Sequence, residues 1–120
     1  MKPQIRRNQN TEEFDTAEHC FITEWSNTPD DAAASIARAR VIPGVTTQQH
    51  RLKDTTERYV ILQGTGRAEI GDLPPQEVQP GDVVLIPPDC WQCISNIGTT
   101  DLLFLAICTP RFELKNYEAF

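Results

Sequence analysis

Apolar and polar residues follow each other along this chain in short runs with a period near two, not the three-to-four of an amphipathic helix. Runs rich in Val, Ile, Thr and aromatic residues are cut by turn residues at short intervals, the sequence sign of a sandwich or barrel. The pattern predicts strands at residues 17–25, 35–42, 57–62, 67–70, 83–86, 91–95 and 102–107. Turn chemistry fills the breaks, as at Asn27-Thr28-Pro29-Asp30, Pro43-Gly44, Gly64-Thr65-Gly66, Pro80-Gly81-Asp82 and Asn96-Ile97-Gly98. Residues 31–40 are alanine-rich and favour helix by propensity. Residues 35–42 nonetheless alternate in period two and run straight into Pro43-Gly44, so strand is preferred there. The runs at 83–86 and 102–107 are apolar on both faces and need cover on each side, from a facing sheet, a chain terminus or a second subunit. The tail, residues 109–120, carries spaced aromatics suited to lying back across a barrel.

Composition narrows this all-β picture. A chain of 120 residues is one domain in size, with 39% hydrophobic and 23% charged residues as in an ordinary globular protein. Residues 13–120 are expected to form that domain, with residues 1–12 as an N-terminal arm. Eleven Lys and Arg against seventeen Asp and Glu give a net charge of -6, the wrong sign for a protein that tracks nucleic-acid phosphates or anionic lipid. No run approaches the roughly 20 apolar residues of a membrane span. The basic start has no apolar stretch behind it to act as a secretory signal, so a cytoplasmic location is expected. Free thiols at Cys20, Cys90, Cys93 and Cys108 go with that address.

The informative stretch runs from Gly44 to Asn96. Gly44, His50, Leu52, Glu57 and Gly64 stand at the spacing G-x5-H-x-H-x4-E-x6-G, with Leu52 in place of the second histidine. Gly81, Pro87, Asp89, Gln92 and Asn96 follow G-x5-P-x-G-x2-H-x3-N, with Asp89 for a glycine and Gln92 for the histidine. Two such motifs in order make the chain resemble a small single-domain cupin of the RmlC-like type with a degenerate metal site. The resemblance implies a double-stranded β-helix or jelly-roll barrel. It further implies a homodimer formed by exchanging or pairing N-terminal strands, and a divalent metal (Mn, Fe, Ni or Zn) at the barrel mouth.

Strand geometry explains why these positions matter. Side chains two apart share a face, so positions 50 and 52 look into the barrel together, as do Glu57, Tyr59 and Ile61 on the next strand and Gln92 and Ile94 on a later one. Imidazole and carboxylate meeting at one mouth make a facial metal site, here reduced to His50, Glu57 and Gln92. His19 and His50 are the only histidines, so three histidines cannot assemble within one subunit. A glutamine carbonyl is a neutral, weak ligand, and water or substrate oxygens would complete the shell. Two further readings of the same groups compete with metal. In one, His50, Glu57, Gln92 and Tyr59 hydrogen-bond an organic ligand directly, and Leu52 favours this by lining the pocket with apolar surface. In the other, His50 and Glu57 are a buried pair that fixes the mouth.

The remaining candidates weigh less. Cys90-Trp91-Gln92-Cys93 spells C-x-x-C, but it follows Pro87-Pro88 into a strand, which puts the thiols on opposite faces as inert cysteines. Arg38 and Arg40 would bind a carboxylate or phosphate if their face points inward, while a solvated face is the preferred reading. Trp25 and Trp91 are expected in the core, and His19 as an ordinary strand residue. The expected function is binding of a small molecule, with His50 or Glu57 as acid or base if the protein is an enzyme acting on a sugar-like or carboxylate metabolite. The rival is a non-catalytic binding or sensing protein without metal. Nucleic acid and membrane are not expected partners.

Overall fold

A computed structural model describes residues 1–8 and 11–120. Its strands are β1 (Phe14–Asp15), β2 (Phe21–Ser26), β3 (Ser35–Val41), β4 (His50–Leu52), β5 (Thr56–Gln63), β6 (Gly66–Ile70), β7 (Gln76–Val78), β8 (Val83–Ile86), β9 (Gln92–Asn96), β10 (Leu102–Thr109) and β11 (Tyr117–Ala119). Between the strands lie the 3-10 turns Pro29–Asp31 and Leu114–Asn116, and among the described residues no helix is long and apolar enough to cross a membrane. Six strands form one sheet in the order β1-β2-β3-β10-β5-β8, and five form the other in the order β11-β4-β9-β6-β7. The pairings are antiparallel, and the two sheets face each other as a jelly roll.

Alternation decides what lies between the sheets. On β5, Glu57, Tyr59 and Ile61 are buried while Arg58 and Val60 turn outward. Ile61, Ile86, Ile94, Val41, Leu102 and Phe104 fill the core from both sheets. Burial of each such side chain contributes about 1.5–3 kcal/mol. The alanine-rich stretch is a strand from Ser35 onward, paired on both edges with β2 and β10. Those ladders outweigh the helix propensity of its alanines.

Three expectations change. Residues 17–20 form a turn instead of the start of a strand: Thr16 bonds to the Cys20 carbonyl through both its amide and its hydroxyl, and His19 adopts a left-handed backbone with φ of 65°. His19 is therefore a turn residue. Trp25 and Trp91 are half-buried at the surface, where Trp91 stacks under the Arg51 guanidinium at 4.5 Å and meets Phe120 edge-on. The run 83–86 is covered on one face only, with Val84 and Ile86 buried and Val83 and Leu85 54% and 67% exposed.

Two motif positions have structural reasons. Gly64 has φ of 89°, and a Cβ there would stand 2.9 Å from the Asp101 carbonyl oxygen, so a side chain is excluded twice over. Asp89, standing where the motif has glycine, keeps the left-handed conformation with φ of 62° and sends its amide to the Leu52 carbonyl. Aspartate is among the few residues that tolerate this region.

Candidate functional site

A cavity of about 280 Å³ lies between the sheets on the side of β4 and the C-terminal tail. Small residues leave the room for it: Ala37 and Ala39 on β3 and Ala106 on β10 line one wall. Strand register then delivers the polar groups. The ladder of β5 and β10 sets Glu57 opposite Cys108, and the contact of β4 with β9 sets His50 opposite Gln92. His50, Leu52, Glu57 and Tyr59 all line the cavity, and Gln92 is buried directly behind Tyr59, whose hydroxyl donates to its Oε1 at 2.6 Å.

Arg40 is not among these groups. It stands on the outer face of β3, where Glu13 accepts from it at 2.7 Å and Asp101 at 3.3 Å while the guanidinium lies 4.4 Å over the Phe21 ring. The reason is parity: Ala37, Ala39 and Val41 take the inward face of that strand, so Arg38 and Arg40 must take the other. Cys90 does not line the cavity either, and all four cysteines are unpaired.

The site also contains groups that the sequence pattern passes over. Glu18 sits in the turn before β2, its carbonyl accepting from the Gln48 amide at 2.8 Å, and its Oε2 lies 3.5 Å from His50 Nδ1. Tyr117 on β11 stacks on the His50 ring with centroids 5.1 Å apart. Cys108 donates from Sγ toward Glu57 Oε2 at 3.6 Å. The tail aromatics were a legible signal for Tyr117, whereas Glu18 lay inside a run read as strand.

His50 Nδ1 is 2.9 Å from the Gln48 carbonyl oxygen. A carbonyl can only accept, so Nδ1 carries the hydrogen and the lone pair of the neutral ring is on Nε2. Glu57 is only 7% exposed. Burial pushes its carboxyl above the usual carboxylate range, while His50 and the amide of Gln92 pull in the other direction. Burial and the neighbouring Glu57 push the Tyr59 phenol well up. Burial and Glu18 push Tyr117 up to about 12, and burial with Glu57 raises Cys108. Both phenols therefore act as proton-bearing groups at neutral pH. Three buried atoms of this neighbourhood, Glu18 Oε2, Glu57 Oε1 and Gln92 Nε2, make no hydrogen bond of good geometry, although the Gln92 amide stands close enough to Glu57 to favour its charged form and Glu18 Oε2 faces His50 Nδ1 at 3.5 Å. Leaving such atoms unpaired costs about 1–3 kcal/mol each.

The donor set does not fit a divalent metal at His50, Glu57 and Gln92. Gln92 offers a single neutral oxygen, one lone pair of which accepts from Tyr59, its amide nitrogen is a donor, and Leu52 is buried where a further ligand would stand. Among the described residues no three His, Cys, Asp or Glu side chains are grouped so as to hold a metal ion.

No curated protein sequence matches the chain. Solved structures do match its shape. A variant of PAC13 from Streptomyces, crystallised with uridine, superimposes with a TM-score of 0.81 at 15% identity, covering 100% of this chain and 92% of that one. KdgF from Halomonas sp. gives 0.80 at 15% identity, covering 93% and 97%. A predicted oxalate decarboxylase from Thermotoga maritima gives 0.72 at 23% identity, covering 89% and 99%. At such identities these likenesses speak for the fold. The Cupin domain family matches residues 37–108, which hold both motifs and most of the cavity-lining strands, and the chain belongs to that family.

Proposed function

We propose that the chain binds a small, sugar-like organic molecule in its barrel mouth and moves protons on it with Glu57 and His50, without a resident metal. One observation carries this reading: a carboxyl that is 7% exposed keeps one oxygen unpaired on the wall of an otherwise largely apolar cavity, next to an imidazole whose Nε2 is free. A carboxylic acid with raised affinity for its proton beside an imidazole is an acid–base pair. On a hydroxylated carbonyl compound, His50 Nε2 would take the proton next to the carbonyl and Glu57 would protonate the departing hydroxyl, so that water leaves and a carbon–carbon double bond forms. The structurally similar Pac13, described as a nucleoside dehydratase, supports a substrate of that size and a reaction of that class.

The test is a panel of keto-sugars, uronates and oxidised nucleosides followed by NMR for loss of water, with chelator present. Turnover is expected for at least one compound, and Glu57→Gln and His50→Gln should each lower it about 100-fold. Turnover that requires added metal would overturn the reading. Binding without turnover of any compound would leave the non-catalytic binding protein in its place.

We extend the reading to a homodimer. The outward apolar residues Val83 and Leu85 on the sheet edge support it, being more exposed than a monomer's strand residues usually are. A Leu85→Glu variant with unchanged mass in light scattering would remove that support.

A further inference from the structure

The charges around the cavity are one-sided. Its lining holds the carboxyl groups of Glu18, Glu24 and Glu57 and the imidazole of His50, but no Lys or Arg among the described residues. Arg111 and Lys115 stand in a shallow groove beyond Asn27, where Arg111 is occupied by donating to Asn27 Oδ1 at 2.9 Å, and Arg58 donates to Thr109 at 2.8 Å. The outer face of β3 behaves differently, since there Glu13 is matched by Arg38 and Arg40. Inside the cavity, Glu18 Oε2 is an unpaired acceptor, and Glu57 Oε1 becomes one when its carboxyl is ionised, the form that a bound cation favours. What is missing at this wall is a donor that carries positive charge.

The rest of the lining suits the same partner. Phe14, Tyr59, Phe104, Phe112 and Tyr117 put aromatic rings around the space. Ring faces attract a cation, by about 0.5–2 kcal/mol each according to how dry the site is. An ammonium group has three donors and no acceptor, so it suits a cavity lined by the carboxyl groups of Glu18 and Glu57 and by aromatic rings. A carboxylate in the same place would leave both oxygens unpaired and add a like charge to them.

We propose that the ligand of this cavity carries an amino group, held between Glu18 and Glu57 and bounded by the aromatic rings. This rests on the barrel-mouth reading above and selects among its substrates: an aminated sugar-like molecule is taken, and the carboxylate-bearing metabolite that the sequence left open is rejected.

Matched probes test it. Glucosamine, glucose and glucuronate, and separately benzylamine, benzyl alcohol and benzoate, are titrated at millimolar concentration into the purified chain while the amide signals of cavity-lining residues are followed by NMR. In at least one set the amine should bind about tenfold tighter than its neutral match, and the acid should bind more weakly than either. Glu18→Gln should erase most of that preference, and circular dichroism checks that the variant is folded. Equal binding of amine and alcohol, or tighter binding of the acid, overturns the amino-group inference and leaves the barrel-mouth reading standing. No cavity response to any of the six overturns both. Zinc or magnesium alone reproducing the amine's signal changes also overturns the inference, because the carboxyl groups would then serve a metal. An amine preference found together with no turnover supports the inference and removes only the catalytic part of the earlier reading.

Discussion

Gln92 and Asn96 stand four residues apart on β9, both amides, both buried on the same face, and they are treated in opposite ways. Asn96 donates from Nδ2 to the carbonyls of Val41 and Thr100 at 2.8 and 2.9 Å, and its Oδ1 accepts from the Gly98 amide at 2.9 Å. Gln92 accepts from Tyr59 and leaves its nitrogen unpaired, beside a Glu57 that has an unpaired oxygen of its own. At the closed end of the barrel, polar side chains complete loops of backbone. At the cavity end they are left short of partners, which is what a pre-formed binding site requires and what a purely structural network avoids. The same motif therefore supplies a staple at one end and an open site at the other.

The sharpest way to break this contrast is Asn96→Ala. Removing an amide that closes three bonds should cost about 3 kcal/mol, read from urea unfolding. A loss under about 1 kcal/mol would mean the closed end is no more dependent on its polar groups than the cavity end. Next comes the double substitution Leu52→His with Gln92→His, which turns both short positions into imidazoles. Nickel or zinc at about 100 times its Kd should then stabilise the protein by about 2–3 kcal/mol, and chelator should reverse this. No metal-dependent shift in melting temperature would show that positions 50, 52, 57 and 92 do not converge.

Glu57→Gln should have the opposite sign from Asn96→Ala at pH 8, raising stability by about 1–2 kcal/mol through loss of a buried, partly unpaired charge. The pH dependence follows from burial holding the folded-state affinity for the proton above the ordinary value of 4.5. The group's contribution is fully present below that ordinary value and is lost as pH rises through the raised folded one. The advantage of the variant should therefore vanish near pH 4 and grow toward pH 8, measured as melting temperature against pH. An advantage that is flat with pH would mean that Glu57 is not buried as described. The smallest effect is expected from Arg40→Ala, under about 1 kcal/mol because its ion pairs are at the surface. Ligand binding should not change, and any change would place that side chain inside the site.

Much of the fold was legible because its causes are local. Strand residues alternate faces, so the runs at 57–62, 83–86 and 102–107 divide into an inner and an outer set whatever the partner strands are. Gly64 fits the motif because nearby backbone leaves no room for a side chain, and Asn96 because its amide closes three backbone hydrogen bonds. Residues 17–20 were misread for an equally local reason. Ala17-Glu18-His19-Cys20 leads into β2 without a glycine, proline or other turn residue, while the left-handed turn at His19 depends on bonds between Thr16 and Cys20 that composition does not announce.

By itself the sequence determined that this is an all-β chain with His50, Leu52, Glu57 and Tyr59 on inward faces, because period and spacing settle which way a strand residue points. Only the tertiary structure decided what meets them there. Glu18 reaches His50 through a turn pinned to Gln48, and Tyr117 through the pairing of the last strand with β4. Gln92 meets the Tyr59 hydroxyl of the opposite sheet. These are contacts between segments that lie far apart in the chain, so no local pattern records them. They turn a motif that spells a metal site into an acidic, ring-lined cavity whose donors do not fit one.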